Sequence, residues 1–295
     1  MINHLLNFKI MDKQEQIKFI EDNYPLYTNH ISNRRIRHTF FSKIETEIQA
    51  YLLGFYAADG SINEKRKTLR IHLQKQDSEL VYLFKDFISP DARTFFMQEH
   101  ETTGRNGNKI KAHESFGVDI TSAKLCDSLV ELNIGYNKSY SNLHIPDMPR
   151  ELIPHFIRGY FDGDGCITGW LAIEKGKSDR VRYSFDICGK TDSLFKEFIE
   201  FFDEHNIKIN LNYLKRDDMY RLKTTSKKEI EKIFHLLYDN SHFYLSRKFK
   251  KFNYYVNTEV SQLIADHRNA QEVNVNESNN LPKSAEHLEI NENVR

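Results

Sequence analysis

The chain has 295 residues, enough to bury a sizeable core in one large domain or two smaller ones. With 39% hydrophobic and 28% charged residues it has an ordinary soluble composition, and no apolar run approaches the ~20 residues a membrane span needs. Its formal net charge of zero argues at first against a nucleic-acid partner.

The charge is unevenly placed, however. Seven of the 42 acids and three of the 42 bases lie beyond Asn257, which leaves 39 bases against 35 acids in the rest. That remainder is mildly basic, which is compatible with DNA. Cys126, Cys166 and Cys188 form no CxxC pair, so a disulfide scaffold or zinc site is not expected and a reducing compartment is. No charged leader followed by an apolar block and a cleavage site is visible, so no secretion is expected.

Residues 1–43 read as an N-terminal extension. Within it, Lys13–Asp22 is predicted to be a short helix that stops before Pro25. The basic cluster Asn33–His38 (NRRIRH) has no strong structural pattern and is either a solvated arm or an arm that touches phosphates. A helix is predicted over Lys43–Ala58, with Thr46 as N-cap and Gly60 as the stop. Thr68–Gln74 alternates strictly, with Leu69, Ile71 and Leu73 on one face, as in a half-buried strand. Asp77 is placed to cap a helix over Ser78–Ile88, whose Leu80, Leu83, Phe84 and Phe87 form an apolar stripe. A strand at Phe95–Phe96 and one over Ile110–Ile120 flank the polar loop Thr102–Asn108, and Ser122–Leu132 is helical.

Asn142–Pro149 holds two prolines and reads as a linker between halves. The order then repeats: a helix over Arg150–Gly163, strands at Cys166–Ile173 and Arg180–Cys188, a helix over Asp192–His205, strands at Ile207–Leu214 and Tyr220–Thr224, and a helix over Lys227–Tyr238. Each half thus reads α-β-β-α-β-β-α, the first over 44–141 and the second over 150–256. The Asn- and Glu-rich residues 257–295 are expected to be a disordered acidic tail.

The halves are organised around YLLGFYAADG (Tyr51–Gly60) and FIRGYFDGDG (Phe156–Gly165), whose Asp59 and Asp164 are 105 residues apart. Glycine in a helix interior costs about 1 kcal/mol against alanine, so a packing gain should offset it. Gly54 and Ala58 share one helix face, as do Gly159 and Gly163, and each pair forms a strip that permits close backbone approach. If the strips face each other, Asp59 and Asp164 arrive together at the C-terminal end of the pair. There the helix dipoles disfavour anions and the two carboxylates repel. A hard divalent cation such as Mg²⁺ resolves that conflict and can activate water against a phosphodiester. The rival reading is core packing with two helix-terminal aspartates, and the second aligned copy argues against it.

These residues resemble the LAGLIDADG homing endonucleases, in the single-chain form with two motifs. The resemblance covers roughly residues 44–256 and rests on LLGFYAADG (Leu52–Gly60) and IRGYFDGDG (Ile157–Gly165). It implies an α+β fold of two pseudo-symmetric αββαββα halves, with saddle-shaped antiparallel sheets over DNA and the motif helices packed at the interface. It also implies that Asp59 and Asp164 bind the catalytic Mg²⁺, or another divalent cation such as Mn²⁺. The family's earlier motif acid is Ala57 in the first copy and Asp162 in the second, and Arg158 stands where the family is usually small. Asn137, Lys138 and Ser139 match a recurring Asn-Lys-Ser, and Tyr244–Lys248 resembles the segment that closes the second half. On that basis Lys138 and Lys248 are expected near the scissile phosphates, with Lys250 and Lys251 competing with Lys248. Lys75 stands where some relatives organise metal-bound water, its counterpart falling near Gly189 or Lys190.

The polar strand faces supply candidate DNA contacts: Arg70, His72 and Gln74; Lys111 and His113; Arg180, Arg182 and Ser184; Lys208, Asn210 and Asn212; Arg221 and Lys223. Arginine and glutamine suit base edges and lysine suits phosphates, although any one of these residues is equally readable as a solvated strand face. The halves differ here, so the expected activity is site-specific, metal-dependent double-strand cleavage of a long asymmetric DNA site by a monomer. The alternatives are an RNA maturase acting on intron RNA and a catalytically inactive DNA-binding regulator on the same fold. Both aspartates being present favours the enzyme. An intein endonuclease is disfavoured because no splicing blocks flank the motifs. The expected setting is cytoplasmic or nucleoid-associated, with an organellar or phage origin open.

Overall fold

A computed structural model gives the structure of the chain over residues 11–29, 33–103, 107–136 and 143–279. The first motif helix, α2, spans Glu47–Asp59 and is buried on every side from Glu47 to Ala57. Thr46 caps it, its side chain accepting from the Gln49 N–H. The helix stops at Gly60, as expected, and the chain leaves there with extended φ and ψ rather than through a left-handed cap. Gly60 answers a spatial need instead: a Cβ there would lie 2.4 Å from the Tyr56 ring.

Before it come α1 (Lys13–Asn23) and a hairpin of β1 (Tyr27–Asn29) and β2 (Arg34–Ile36). The middle of the basic cluster, Arg34–Ile36, is therefore a strand rather than an unstructured arm. Arg35 makes a bidentate pair with Asp91, and buried Arg37 donates to the Phe87 carbonyl. After α2 the first half runs β3 (Ser61–Asn63), β4 (Thr68–Gln74), α3 (Ser78–Ile88), β5 (Thr94–Met97), β6 (His100–Thr103), β7 (Lys109–Ala112), β8 (Ser115–Thr121) and α4 (Ala123–Glu131). The long strand expected over Ile110–Ile120 is broken at His113–Glu114. Its first part pairs with β6 as a separate hairpin and its second part enters the main sheet.

The second half opens with a 3₁₀ turn at Arg150–Leu152 and continues as α5 (Ile153–Asp164), β9 (Gly165–Ala172), β10 (Arg180–Gly189), α6 (Ser193–Glu204), β11 (Asn210–Leu214), β12 (Met219–Thr224) and α7 (Lys227–Tyr238). The order β3-β4-β8-β5 in one sheet is matched by β9-β10-β12-β11 in the other, and every pairing is antiparallel. The fold is α+β with two halves of the same topology, the β6–β7 hairpin being an insertion in the first. Two helices follow, α8 (Ser246–Asn257) and α9 (Val260–Asn279). The expected disorder therefore does not begin at 257. Phe252, Tyr255 and Leu263 are buried, and the α9 residue Arg268 pairs with Asp179 in the β9–β10 hairpin. Residues 280–295 of the expected tail lie outside the described residues.

Inward strand residues and helix stripes meet in one core. Leu69, Ile71, Phe185 and Ile187 are fully buried, and Phe161 of α5 stacks on Phe185 with ring centres 4.9 Å apart. The two sheets thereby turn their alternate, polar residues away from the helices.

Candidate active site and nucleic-acid interface

The axis of the molecule is the crossing of α2 with α5, and its closeness comes from glycine. A Cβ on Gly54 would lie 2.0 Å from the Phe156 carbonyl oxygen, and one on Gly159 would lie 2.0 Å from the Tyr51 carbonyl oxygen. Tyr51 and Phe156 are themselves 105 residues apart, so each glycine receives the carbonyl of the same repeat position in the other helix. Further along, a Cβ on Gly163 would meet the Ala58 Cβ at 2.3 Å. The four small residues Gly54, Ala58, Gly159 and Gly163 thus form the contact strip between the halves.

This strip carries the motif acids to the same end. The place of a Gly163 Cβ is 3.0 Å from Asp59 Oδ2, one residue before Asp164. Tyr160 adjoins both acids: burial first, then Asp164 and Asp59, push its phenol far above the ordinary value. Lys248, 7% exposed on α8, donates to the Phe161 and Gly163 carbonyls at 2.8 and 2.9 Å. Burial lowers its ammonium, against the opposing pull of Asp162. Its place is at the C-terminal carbonyls of α5, where a cation is favourable, and it shares the Phe161 carbonyl with the Gly165 N–H. Lys248 therefore holds the turn that presents Asp164. Lys138 lies outside the described residues. Lys75 bonds Glu114 at 2.8 Å and lies over the Phe96 ring.

Asp162, the earlier motif acid, is buried and accepts from the Tyr51 hydroxyl and the Leu245 N–H, both at 2.7 Å. Burial pushes its carboxyl up to about 6, opposed by Lys248, the Leu245 N–H and Tyr51. Arg158 is wholly buried and does not wedge the helices apart. It donates to Glu47 Oε1 across the interface at 2.7 Å, to the carbonyls of Phe243 and Leu237, and to His155. Glu47 in turn accepts from Gln16, His242 and the Phe243 N–H.

One residue near this end was missed from sequence. Asp77, expected as a helix cap, makes no capping bond; its carboxylate takes both guanidinium branches of Arg247. Ser246 bonds Glu79 beside it. The start of α8 in the second half is thereby strapped to the start of α3 in the first. The only sequence signal was Arg247 standing next to Lys248.

The outward sheet faces hold most of the expected DNA contacts, but with counter-ions the sequence did not pair. Arg70 makes a bidentate bridge to Asp119 at 2.7 and 2.6 Å. His72 bonds Ser115, and Gln74 accepts from Gln76. Arg180, Arg182 and Lys177 converge on Glu174, and these three bonds hold its carboxyl at about 2. Arg221 and Lys223 lie 3.8 and 3.6 Å from Asp186. Asn210 and Asn212 are exposed on the outer strand, and His113 is exposed between β7 and β8.

Three expected contacts are displaced. Ser184 is 4% exposed and bonds Asp186, because cross-strand neighbours cover a side chain that short. Lys208 precedes β11, which begins at Asn210, and its N–H donates to Glu229. Lys111 sits on the β6–β7 hairpin, off the main sheet, paired with Glu99.

The residues present fit a hard divalent cation. Among the described residues no three His, Cys, Asp or Glu side chains gather into a cage. Two carboxylates are what the helix ends offer. That set suits Mg²⁺, which binds through one or two carboxylates plus waters and substrate phosphate, and does not suit a structural zinc site with four protein ligands.

No family model matches the sequence, and no curated protein matches it. Among solved structures, the LAGLIDADG meganuclease I-AabMI bound to uncleaved DNA aligns at 14% identity over 76% of this chain and 96% of its own, with a TM-score of 0.47. Meganuclease I-SmaMI bound to uncleaveable DNA aligns at 13% identity over 77% and 97%, with a TM-score of 0.48. The LAGLIDADG homing endonuclease I-GzeII in complex with its DNA target aligns at 15% identity over 78% and 94%, with a TM-score of 0.45. These three solved structures, to which this chain is similar, are meganucleases or homing endonucleases with DNA.

Proposed function

We propose that the chain is a site-specific, metal-dependent double-strand DNA endonuclease that works as a monomer on a long asymmetric site. The observation that carries this reading is the gathering of Asp59 and Asp164 at one end of the α2–α5 pair, from two halves of a single chain. One acid from each half suits a duplex, whose strands present two scissile phosphates related by a similar two-fold. A protein that only bound DNA would have no use for such a pair.

Asp59 and Asp164 are the residues that would hold Mg²⁺ or Mn²⁺. When bound, the cation would supply positive charge to the phosphodiester and its leaving oxygen. The chain's own residues set the geometry. Gly54 and Gly159 fix the separation of the acids, Lys248 fixes the turn before Asp164, and the sheet faces hold the duplex through Arg70, Arg180, Arg182, Arg221 and Lys223. Because these cations rest on Asp119, Glu174 and Asp186, DNA must exchange one partner for another, which favours selective over indiscriminate binding.

The test is cleavage of a library of long duplex targets with Mg²⁺, comparing wild type with Asp59→Asn and Asp164→Asn. Wild type should cut both strands of a selected sequence, while each variant binds but does not cut. Absence of cleavage by wild type on its selected sequence would sink the enzyme reading. Loss of binding together with cleavage in the variants would make the acids structural.

A further inference from the structure

The outward faces of the two sheets carry the same row of positions with opposite charge. In the first half Ser61 lies across from Arg70, and Arg70 lies across from Asp119. In the second, Cys166 lies across from Asp186, and Asp186 across from Lys223. Ser61 and Cys166 each stand two residues beyond a motif acid, so the two rows hold equivalent places in their sheets. Arg70 and Asp186 therefore hold equivalent places on the second strand, and Asp119 and Lys223 hold equivalent places beside them.

Residues directly opposite in a ladder project to the same face. The neighbours Leu69, Ile71, Phe185 and Ile187 are buried against the helices, so both rows face outward. The first half carries cation then carboxylate, joined at 2.7 and 2.6 Å. The second carries carboxylate then cation, with Lys223 Nζ 3.6 Å from Asp186 Oδ1. Asp186 Oδ1 is itself buried and accepts no hydrogen bond among the described residues, with Lys223 and Arg221 at 3.6 and 3.8 Å, while Oδ2 accepts from Ser184.

A cation beside a carboxylate is complementary to one base pair in the major groove. Guanine presents the acceptors O6 and N7, and its cytosine presents the N4 donor next to them. Exchanging cation and carboxylate exchanges the strand on which guanine is favoured. We infer that Arg70–Asp119 and Asp186–Lys223 are charge-inverted specificity determinants, each reading a G·C pair at the equivalent inner position of its half-site, in opposite orientations. The inference rests on the DNA-binding reading above. It places one defined break in the two-fold symmetry of the target.

The full chain is used to select bound molecules from a randomised double-stranded DNA library. Wild type should enrich a sequence whose half-sites, read outward from the centre, carry G·C and C·G at that position. Arg70→Asp/Asp119→Lys should reverse the pair in one half-site only, with a change in preference of roughly 5- to 100-fold. Asp186→Arg/Lys223→Asp should reverse the other. A half-site pair of the same orientation, an A·T pair at either place, or a selected sequence that neither double variant alters overturns the inference and leaves the endonuclease reading standing. If one variant fails to fold, the wild-type site and the reciprocal variant still decide. A wild type that enriches no sequence overturns the DNA-binding reading itself, and this inference with it.

Discussion

Gly54 and Phe156 meet backbone to backbone: the Phe156 carbonyl oxygen occupies space that any side chain at residue 54 would need. Neither backbone can yield without moving a helix. Gly54→Ala is expected to cost ~1–3 kcal/mol by overpacking, and Gly54→Val more. Both should lower DNA cleavage by separating the helix ends, even though neither touches Asp59 or Asp164. Denaturant unfolding and cleavage assays on the same preparations check this, and a Gly54→Val protein that cuts at the wild-type rate would break the link between helix approach and the acids.

The pair Glu47–Arg158 is buried at both members, with side-chain exposures of 4% and 0%. Burial pushes the Glu47 carboxyl up, but Arg158, His155 and His242 outweigh it and hold it below its ordinary value. Removing one partner strands the other, so Glu47→Leu or Arg158→Leu alone should cost about 3–5 kcal/mol. The double replacement should recover most of that loss. Urea midpoints of the two single variants and the double variant measure it, and additive losses would contradict a direct pairing.

His155 accepts from Arg158 through Nδ1, and burial first, then the Arg158 charge, lower its pKa to about 3 and hold it neutral. Since the folded value lies below the unfolded 6.5, the stabilisation is full above pH 6.5 and is lost as pH falls from there toward 3. At pH 5 the loss from this group is about 2 kcal/mol. Asp162 acts in the opposite sense, its raised carboxyl favouring the folded state below about 6. Comparing the stability of wild type and His155→Gln at pH 7.5 and 5 isolates the histidine. The variant should lose less than wild type, and equal losses would dismiss the assignment.

Lys248→Met removes a donor from the Phe161 carbonyl, which keeps the Gly165 N–H, and from the Gly163 carbonyl, at an expected cost of ~1–3 kcal/mol. Because those carbonyls flank the turn to Asp164, cleavage should fall by at least about tenfold, equivalent to ~1.4 kcal/mol in the barrier. DNA affinity should stay close to wild type. Single-turnover cleavage measured beside binding separates the two, and a fall in affinity with an intact cleavage rate would place Lys248 on the DNA surface instead.

The repeat, the motif helices and most strands were legible because their signals are local. Leu69, Ile71 and Leu73 alternate, the small residues recur at helical spacing, and Asp59 and Asp164 end both copies. Cross-strand partners were not legible. Nothing local says that Asp119 lies opposite Arg70 or that Asp186 lies opposite Lys223, because register emerges only when the ladder forms. Arg158 looked like a defect for the same reason, its counter-charge being 111 residues away. In α8 the repeat of Phe249, Phe252 and Tyr255 was readable in principle but is interleaved with the polar Lys250, Lys251 and Asn253, which leave a narrow apolar stripe.

The Glu47–Arg158 pair also has no mirror image. By the 105-residue repeat its two places are taken in the opposite half by Leu152 and Leu53, both buried. Two copies of the first half brought together would bury two glutamates without a cation, and two copies of the second would bury two arginines without an acid. The halves are alike in topology yet mutually exclusive as self-partners. The buried charge fixes which half meets which, and so commits the molecule to two unlike faces toward whatever it grips.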